Sequence, residues 1–122
     1  MKTLSSLKVL VVEDEALVSM LVEDMLTDLG CTVVGPAAEI EEALKLANSA
    51  DIDAALLDVN LGGRPIFPVA DALRARGVPY AFASGYGEAG ISEDHRGSAV
   101  LQKPFREADL RRVLEGLVAQ TA

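Results

Sequence analysis

Two hydrophobic patterns alternate along this chain. Short unbroken apolar runs are separated by longer stretches in which apolar residues return every three or four positions. The runs predict strands over about 7–13, 31–35, 54–58, 79–83 and 99–102. Each is continuous rather than alternating, as strands covered on both faces are. The spaced stretches predict helices over about 15–29, 38–49, 66–76 and 106–119. In the first, Leu17, Leu21 and Met25 form one apolar row, with Val18, Val22 and Leu29 beside it. Met20 and Met25 read as core filler, and Gly30 is a stop signal. The second places Ile40, Ala43, Leu44 and Ala47 on one face, and Glu39, Glu41 and Glu42 suit its positive N-terminal end. The third carries Val69, Ala70 and Leu73, and the last Leu110, Val113, Leu114 and Leu117.

Strands alternating with helices predict an α/β fold around a parallel sheet. With right-handed connections the expected form is a flavodoxin-like, doubly wound sheet of five strands in the order 2-1-3-4-5. One segment departs from the pattern. Residues 84–98 hold Gly85, Gly87, Gly90 and Gly97, and Ile91 is their only aliphatic residue larger than alanine. Interior glycine costs a helix about 1 kcal/mol per site. The fourth helix is therefore expected to be short or disordered, confined to about 91–96, and to bury almost nothing. Gly62-Gly63-Arg64-Pro65 reads as a flexible connection, and no Gly-Lys-Ser/Thr follows to make it a P-loop.

The polar residues that end the strands carry the chemistry. Glu13 and Asp14 follow the first strand, Asp58 ends the third, Ser84 follows the fourth and Lys103 the fifth. In such a sheet, ligands bind outside the carboxyl ends of the strands, at the switch point between strands one and three. The expected topology brings all five residues there. Magnesium favours one or two carboxylates together with water and phosphate oxygens. Asp58 can attack phosphorus, Lys103 can offset charge on the phosphoryl oxygens, and Ser84 can donate a hydrogen bond to one of them.

Composition narrows the remaining choices. The chain has 122 residues, half of them apolar, which predicts one domain over 1–122. Net charge is −8, and residues 1–61 hold twelve acidic side chains against three basic ones. The acidity lies with Glu13, Asp14 and Asp58. A nucleic-acid binder needs a basic face, and Arg106, Arg111 and Arg112 are mixed with Glu107 and Asp109. No apolar run nears the roughly 20 residues that span a bilayer, and no signal peptide is legible. The expectation is a cytoplasmic protein without nucleic-acid or membrane partners. Cys31, the only cysteine, reads as a buried strand residue. His95, the only histidine, lies in the glycine-rich segment rather than on the long helix a phosphohistidine donor needs.

Val11-Val12-Glu13-Asp14-Glu15, Leu56-Leu57-Asp58-Val59-Asn60-Leu61, Phe82-Ala83-Ser84-Gly85 and Lys103-Pro104-Phe105 together resemble the receiver domains of two-component response regulators. The resemblance covers about the whole chain. It implies that Asp58 accepts a phosphoryl group from a histidine kinase or a histidine phosphotransfer protein. It also implies Mg2+, or Mn2+, held by Glu13, Asp14, Asp58 and the backbone carbonyl of Asn60. Ser84 and Lys103 would contact the phosphoryl oxygens, and the peptide before Pro104 would be cis. Such a domain catalyses only its own phosphorylation and dephosphorylation. With the chain ending after the last helix, output would pass through a downstream protein partner.

Two departures from the family pattern stand out. Val100 occupies the place where most receivers carry a Tyr or Phe that turns inward with the strand-four hydroxyl. The span from Ser84 to Lys103 is short and glycine-rich, which resembles the FAT GUARD receivers, with Ser84 in place of their threonine. That subgroup implies kinases of the HWE or related type and leaves Tyr86 as the candidate moving aromatic. Two other functions compete. A haloacid dehalogenase-like phosphatase needs a second Asp two positions after the nucleophile, and here that residue is Asn60. A pseudo-receiver adaptor would not need the complete set of acids, hydroxyl and lysine.

Overall fold

Strand β1 (Lys8–Val12) lies at the centre of the first half of the sheet, with β2 (Thr32–Ala37) on one side and β3 (Ala54–Asp58) on the other, both parallel to it. The structure is a computed structural model that describes residues 4–85, 91, 95 and 98–121. Between these strands run α1 (Ala16–Asp28) and α2 (Ile40–Ser49). A two-stranded hairpin, β4 (Asn60–Leu61) with β5 (Arg64–Pro65), precedes α3 (Phe67–Ala75). Strands β6 (Tyr80–Ser84) and β7 (Ala99–Gln102) complete the sheet, and α4 (Glu107–Thr121) follows. The order is β2-β1-β3-β6-β7, all parallel. This is the expected 2-1-3-4-5 arrangement, with the hairpin as an insertion that adds two strands to the numbering.

Alternation along the strands divides the core in two. Leu10, Val12, Ala55, Leu57 and Phe82 face α2 and α3 together with Ile40, Val69 and Leu73. Val9, Val11, Leu56, Ala81 and Leu101 face the other side with Val22, Leu26, Leu110, Leu114 and Leu117. Burying each such side chain contributes about 1.5–3 kcal/mol relative to exposure. Cys31 is buried there too, and burial pushes its thiol pKa up.

Four local expectations need correction. Helix α1 presents Ser19, Val22 and Leu26 to the core, while Leu17, Met20 and Leu21 are exposed at 77%, 59% and 58%. Leu17, Leu21 and Met20 are therefore not core. The helix is apolar over so wide an arc that periodicity alone does not choose the buried stripe. Second, residues 60–65 form the hairpin rather than a flexible connection. Gly62 and Gly63 both have positive φ, 57° and 83°, as tight hairpin turns require. Leu61 and Ile66 anchor its base in the core. Third, β2 runs on through Pro36 to Ala37. An edge strand tolerates proline because its outer N–H has no ladder partner. Fourth, the 84–98 segment buries more than expected. Ile91 and His95 are each 4% exposed. The other residues of the expected 91–96 helix, and Tyr86, lie outside the described residues. The peptides before Pro36 and Pro104 are both cis, the second as the resemblance implied.

Candidate functional site

The strand ends carry their polar residues into register. Val12 pairs with Leu57, so Glu13 emerges beside Asp58, the last residue of β3. Backbone bonds continue beyond the strands and hold these positions. Glu13 N–H donates to Ala37 O at 3.0 Å, Val59 N–H to Ala83 O at 3.1 Å, and Lys103 N–H to Ser84 O at 2.9 Å. The last bond sets the lysine beside the serine across β6 and β7.

The side chains converge. Carboxylate oxygens of Glu13, Asp14 and Asp58 lie within 4.8 Å of one another. Glu13 is buried, Asp58 is 9% exposed and Asp14 faces solvent. Gly62 N–H in the hairpin turn donates to Asp14 Oδ2 at 2.8 Å, and Glu15 N–H donates to Glu13 Oε2 at 3.1 Å. Lys103 Nζ lies 2.9 Å from Glu13 Oε1 and 3.4 Å from Asp58 Oδ1. Ser84 is buried at 3% and lines one cavity of about 400 Å³ with Asp14, Glu15, Asp58, Val59, Gly63, Gly85 and Lys103.

Electrostatics follow from burial and crowding. Desolvation, then the Glu13 charge, push the Asp58 pKa up to about 7, although Lys103 pulls the other way. Burial alone would depress the Lys103 pKa, but its hydrogen bond to Glu13 and the nearby Asp58 charge outweigh burial and raise it. A hard, all-oxygen cluster of this size fits a divalent cation of the magnesium class.

Sequence reasoning brought together Glu13, Asp14, Asp58, Ser84 and Lys103, and the structure places all five at this edge. Asn60 begins β4, two residues beyond Asp58, and pairs with Pro65. Val100 lies opposite Phe82 in the β6–β7 register, half-buried, away from the cavity. Sequence reasoning missed the Gly62–Gly63 turn as a wall of the site. Its signal was the double glycine itself. It also missed the packing of His95. The imidazole Nε2 is 2.8 Å from Asp71 Oδ1, and the ring stacks on Phe67 at 4.8 Å and meets the edge of Phe82 at 5.9 Å.

The response regulator receiver domain family matches residues 9–115. The chain belongs to that family. This receiver is 30% identical over 117 residues to the transcriptional regulatory protein PdtaR of Mycobacterium tuberculosis, covering 93% of this chain and 57% of PdtaR. It thus spans little more than half of that relative. The solution structure of SdrG from Sphingomonas melonis is 39% identical, with a TM-score of 0.83, covering 96% of this chain and 99% of SdrG. SdrG in its BeF3-activated conformation matches with 40% identity and a TM-score of 0.79, covering 97% of this chain and 99% of that one. The receiver domain of the sensor histidine kinase PA1611 from Pseudomonas aeruginosa, with magnesium coordinated in its active-site cleft, is 26% identical with a TM-score of 0.79, covering 94% and 99%. Receivers are signalling domains, and no described helix of this one is long and apolar enough to cross a membrane.

Proposed function

We propose that this receiver takes a phosphoryl group on Asp58 from a histidine kinase or phosphotransfer protein and passes the signal on by changing its protein contacts. One observation carries the reading: Asp58 ends β3 with two further carboxylates within 4.8 Å and Lys103 Nζ at 3.4 Å. A nucleophile, a cation site and a fixed ammonium are the parts that phosphoryl transfer needs.

In the step, an Asp58 carboxylate oxygen bonds to phosphorus as the P–N bond of the donor phosphohistidine breaks. The electron pair leaves on the imidazole nitrogen. Lys103 turns from Glu13 to a phosphoryl oxygen, and Ser84 donates its hydroxyl to another. Glu13, Asp14, Asp58 and the Asn60 carbonyl would hold magnesium or manganese, which screens charge on the phosphoryl group. Gly62 N–H keeps Asp14 aimed at the cluster.

The donor's docking surface lies next to this cavity. Leu17, Met20 and Leu21 expose apolar surface on α1. A groove of about 350 Å³, lined by Val18, Leu21, Met25, Pro104 and Phe105, runs from α1 to the Lys103-Pro104-Phe105 loop. An apolar helix bearing a histidine fits this groove with its imidazole directed at Asp58. Phe82-Ala83-Ser84 and the short path to Lys103 support a donor kinase of the HWE or related type.

The test is mass spectrometry of the intact protein after acetyl phosphate and magnesium. The wild type gains one phosphoryl group and Asp58→Asn gains none. A wild type that gains none supports a pseudo-receiver instead.

A further inference from the structure

Glu15 stands at the rim shared by the two cavities. It lines the acidic cavity around Asp58 and also the apolar groove along α1, and Lys103 is the only other residue common to both linings. Its backbone is held on both sides. The N–H donates to Glu13 Oε2 at 3.1 Å, and the carbonyl accepts from Ser19 N–H at 2.9 Å. Its side chain is exposed and makes no hydrogen bond or ion pair among the described residues.

The local sequence rule is broken here. Glu15 is the N-cap of α1, with extended φ/ψ of −87° and 114°, and its side chain makes no cap bond. Ser, Thr, Asp or Asn at this position would satisfy a helix N–H and stabilise by about 0.5–2 kcal/mol. A residue that forgoes a cap while fixed at the mouth of a site is a candidate for function.

The charge count gives that function a sign. Asp14, Glu15 and Asp58 line the cavity with one ammonium, Lys103, and the buried Glu13 carboxylate lies 2.9 Å from that same ammonium. Four carboxylates against one ammonium leave three negative charges, of which one divalent cation cancels two. With Glu15 present, the loaded site is net negative and repels a free phosphate ester or anhydride. Without it, the site would be neutral and that repulsion would be gone.

We propose that Glu15 is a specificity-determining residue that disfavours free anionic phosphodonors at Asp58, so that the phosphoryl group arrives on a protein seated in the neighbouring groove. The inference rests on the phosphoacceptor reading above. A donor helix brings its phosphoryl group in by groove contacts and does not depend on long-range attraction, so one carboxylate at the rim selects between the two sources.

The test follows labelling of Asp58 by acetyl phosphate. In that reaction an Asp58 oxygen bonds to phosphorus as acetate leaves with the electron pair of its P–O bond. Rates are measured at saturating magnesium, in low and high salt, for the wild type and for Glu15→Gln, Glu15→Lys and Asp24→Asn. Asp24 is an exposed acid of the same helix that lines neither cavity. The expected result is a second-order constant raised roughly threefold to tenfold by Glu15→Gln at low salt. Glu15→Lys should raise it further, and the gain should shrink at high salt as screening grows. Asp24→Asn should match the wild type. Equal or lower rates in both Glu15 variants overturn the inference while leaving the phosphoacceptor reading intact. A gain in Asp24→Asn as large as in Glu15→Gln overturns it as well, since net charge would then be the cause. If no protein in the set is labelled, both the inference and the phosphoacceptor reading fall.

Discussion

Lys103 Nζ lies nearer to Glu13, at 2.9 Å, than to Asp58, at 3.4 Å. In the resting protein the ammonium is therefore chiefly a partner of the buried Glu13, and its move toward a phosphoryl oxygen exchanges one anion for another. Lys103→Met leaves Glu13 buried without that partner. It should cost about 1.5–3 kcal/mol of stability in EDTA. Magnesium should recover part of the loss by supplying the missing positive charge. Urea unfolding with and without magnesium measures both effects. An unchanged midpoint in EDTA would show that the pair contributes nothing.

The raised Asp58 pKa has a consequence for stability. A carboxyl with an ordinary pKa near 4 in the unfolded chain and about 7 in the folded one binds its proton more tightly when folded. Its stabilising contribution is complete below about pH 4 and is lost as pH rises to about 7. Metal-free protein should thus lose stability across that window. Asp58→Asn should flatten the dependence and be the more stable protein at pH 8. Urea midpoints in EDTA at pH 5 and pH 8 decide this, and parallel curves for the two proteins would refute it.

His95 links the segment after Ser84 to α3. Its side chain is 5% exposed, whereas the Asp71 side chain it meets is 63% exposed. Most of its contribution should come from packing against Phe67 and Phe82, since a contact with so exposed a carboxylate is worth little. His95→Ala should cost about 1–3 kcal/mol, and Asp71→Asn less than about 1 kcal/mol. A double-mutant cycle with a coupling above that value would assign the contribution to the Asp71 hydrogen bond instead.

The two faces of α1 should respond in opposite ways. Leu26→Ala removes a fully buried side chain and should cost about 2–5 kcal/mol. Leu17→Ser and Leu21→Ser alter exposed positions and should stay within about 0.5 kcal/mol of the wild type. The same two serine variants should slow phosphotransfer from a histidine phosphotransfer protein and leave labelling by acetyl phosphate unchanged. Slower labelling by both donors would place the defect at Asp58 rather than in docking.

The sheet and its site were largely legible in the sequence because both depend on strands. A continuous apolar run that ends in a polar residue fixes where a strand stops, and right-handed connections then fix which ends meet. That logic placed Glu13, Asp14, Asp58, Ser84 and Lys103 correctly. It failed where one pattern admits several solutions. Helix α1 carries apolar residues around most of its circumference, so the choice between Leu21 and Leu26 as core waits on the sheet it packs against. The hairpin strands are two residues each, too short to show a period, although Gly62-Gly63 marks their turn. His95 was hidden because a buried imidazole needs neighbours such as Phe67, Phe82 and Asp71, which come from distant positions in the chain.

Phe67, Tyr80, Phe82 and His95 form a chain of ring contacts on the α3 side of the sheet. The opposite core is chiefly aliphatic, and the protein has no tryptophan. Near-ultraviolet circular dichroism and ring-current shifts will therefore report mainly on the α3 side. Near-ultraviolet dichroism of this receiver would register changes around Tyr80 and see a partner settling along α1 only through Phe105, a weak chromophore. Observing that event calls for an isotope label or a reporter placed on the groove itself.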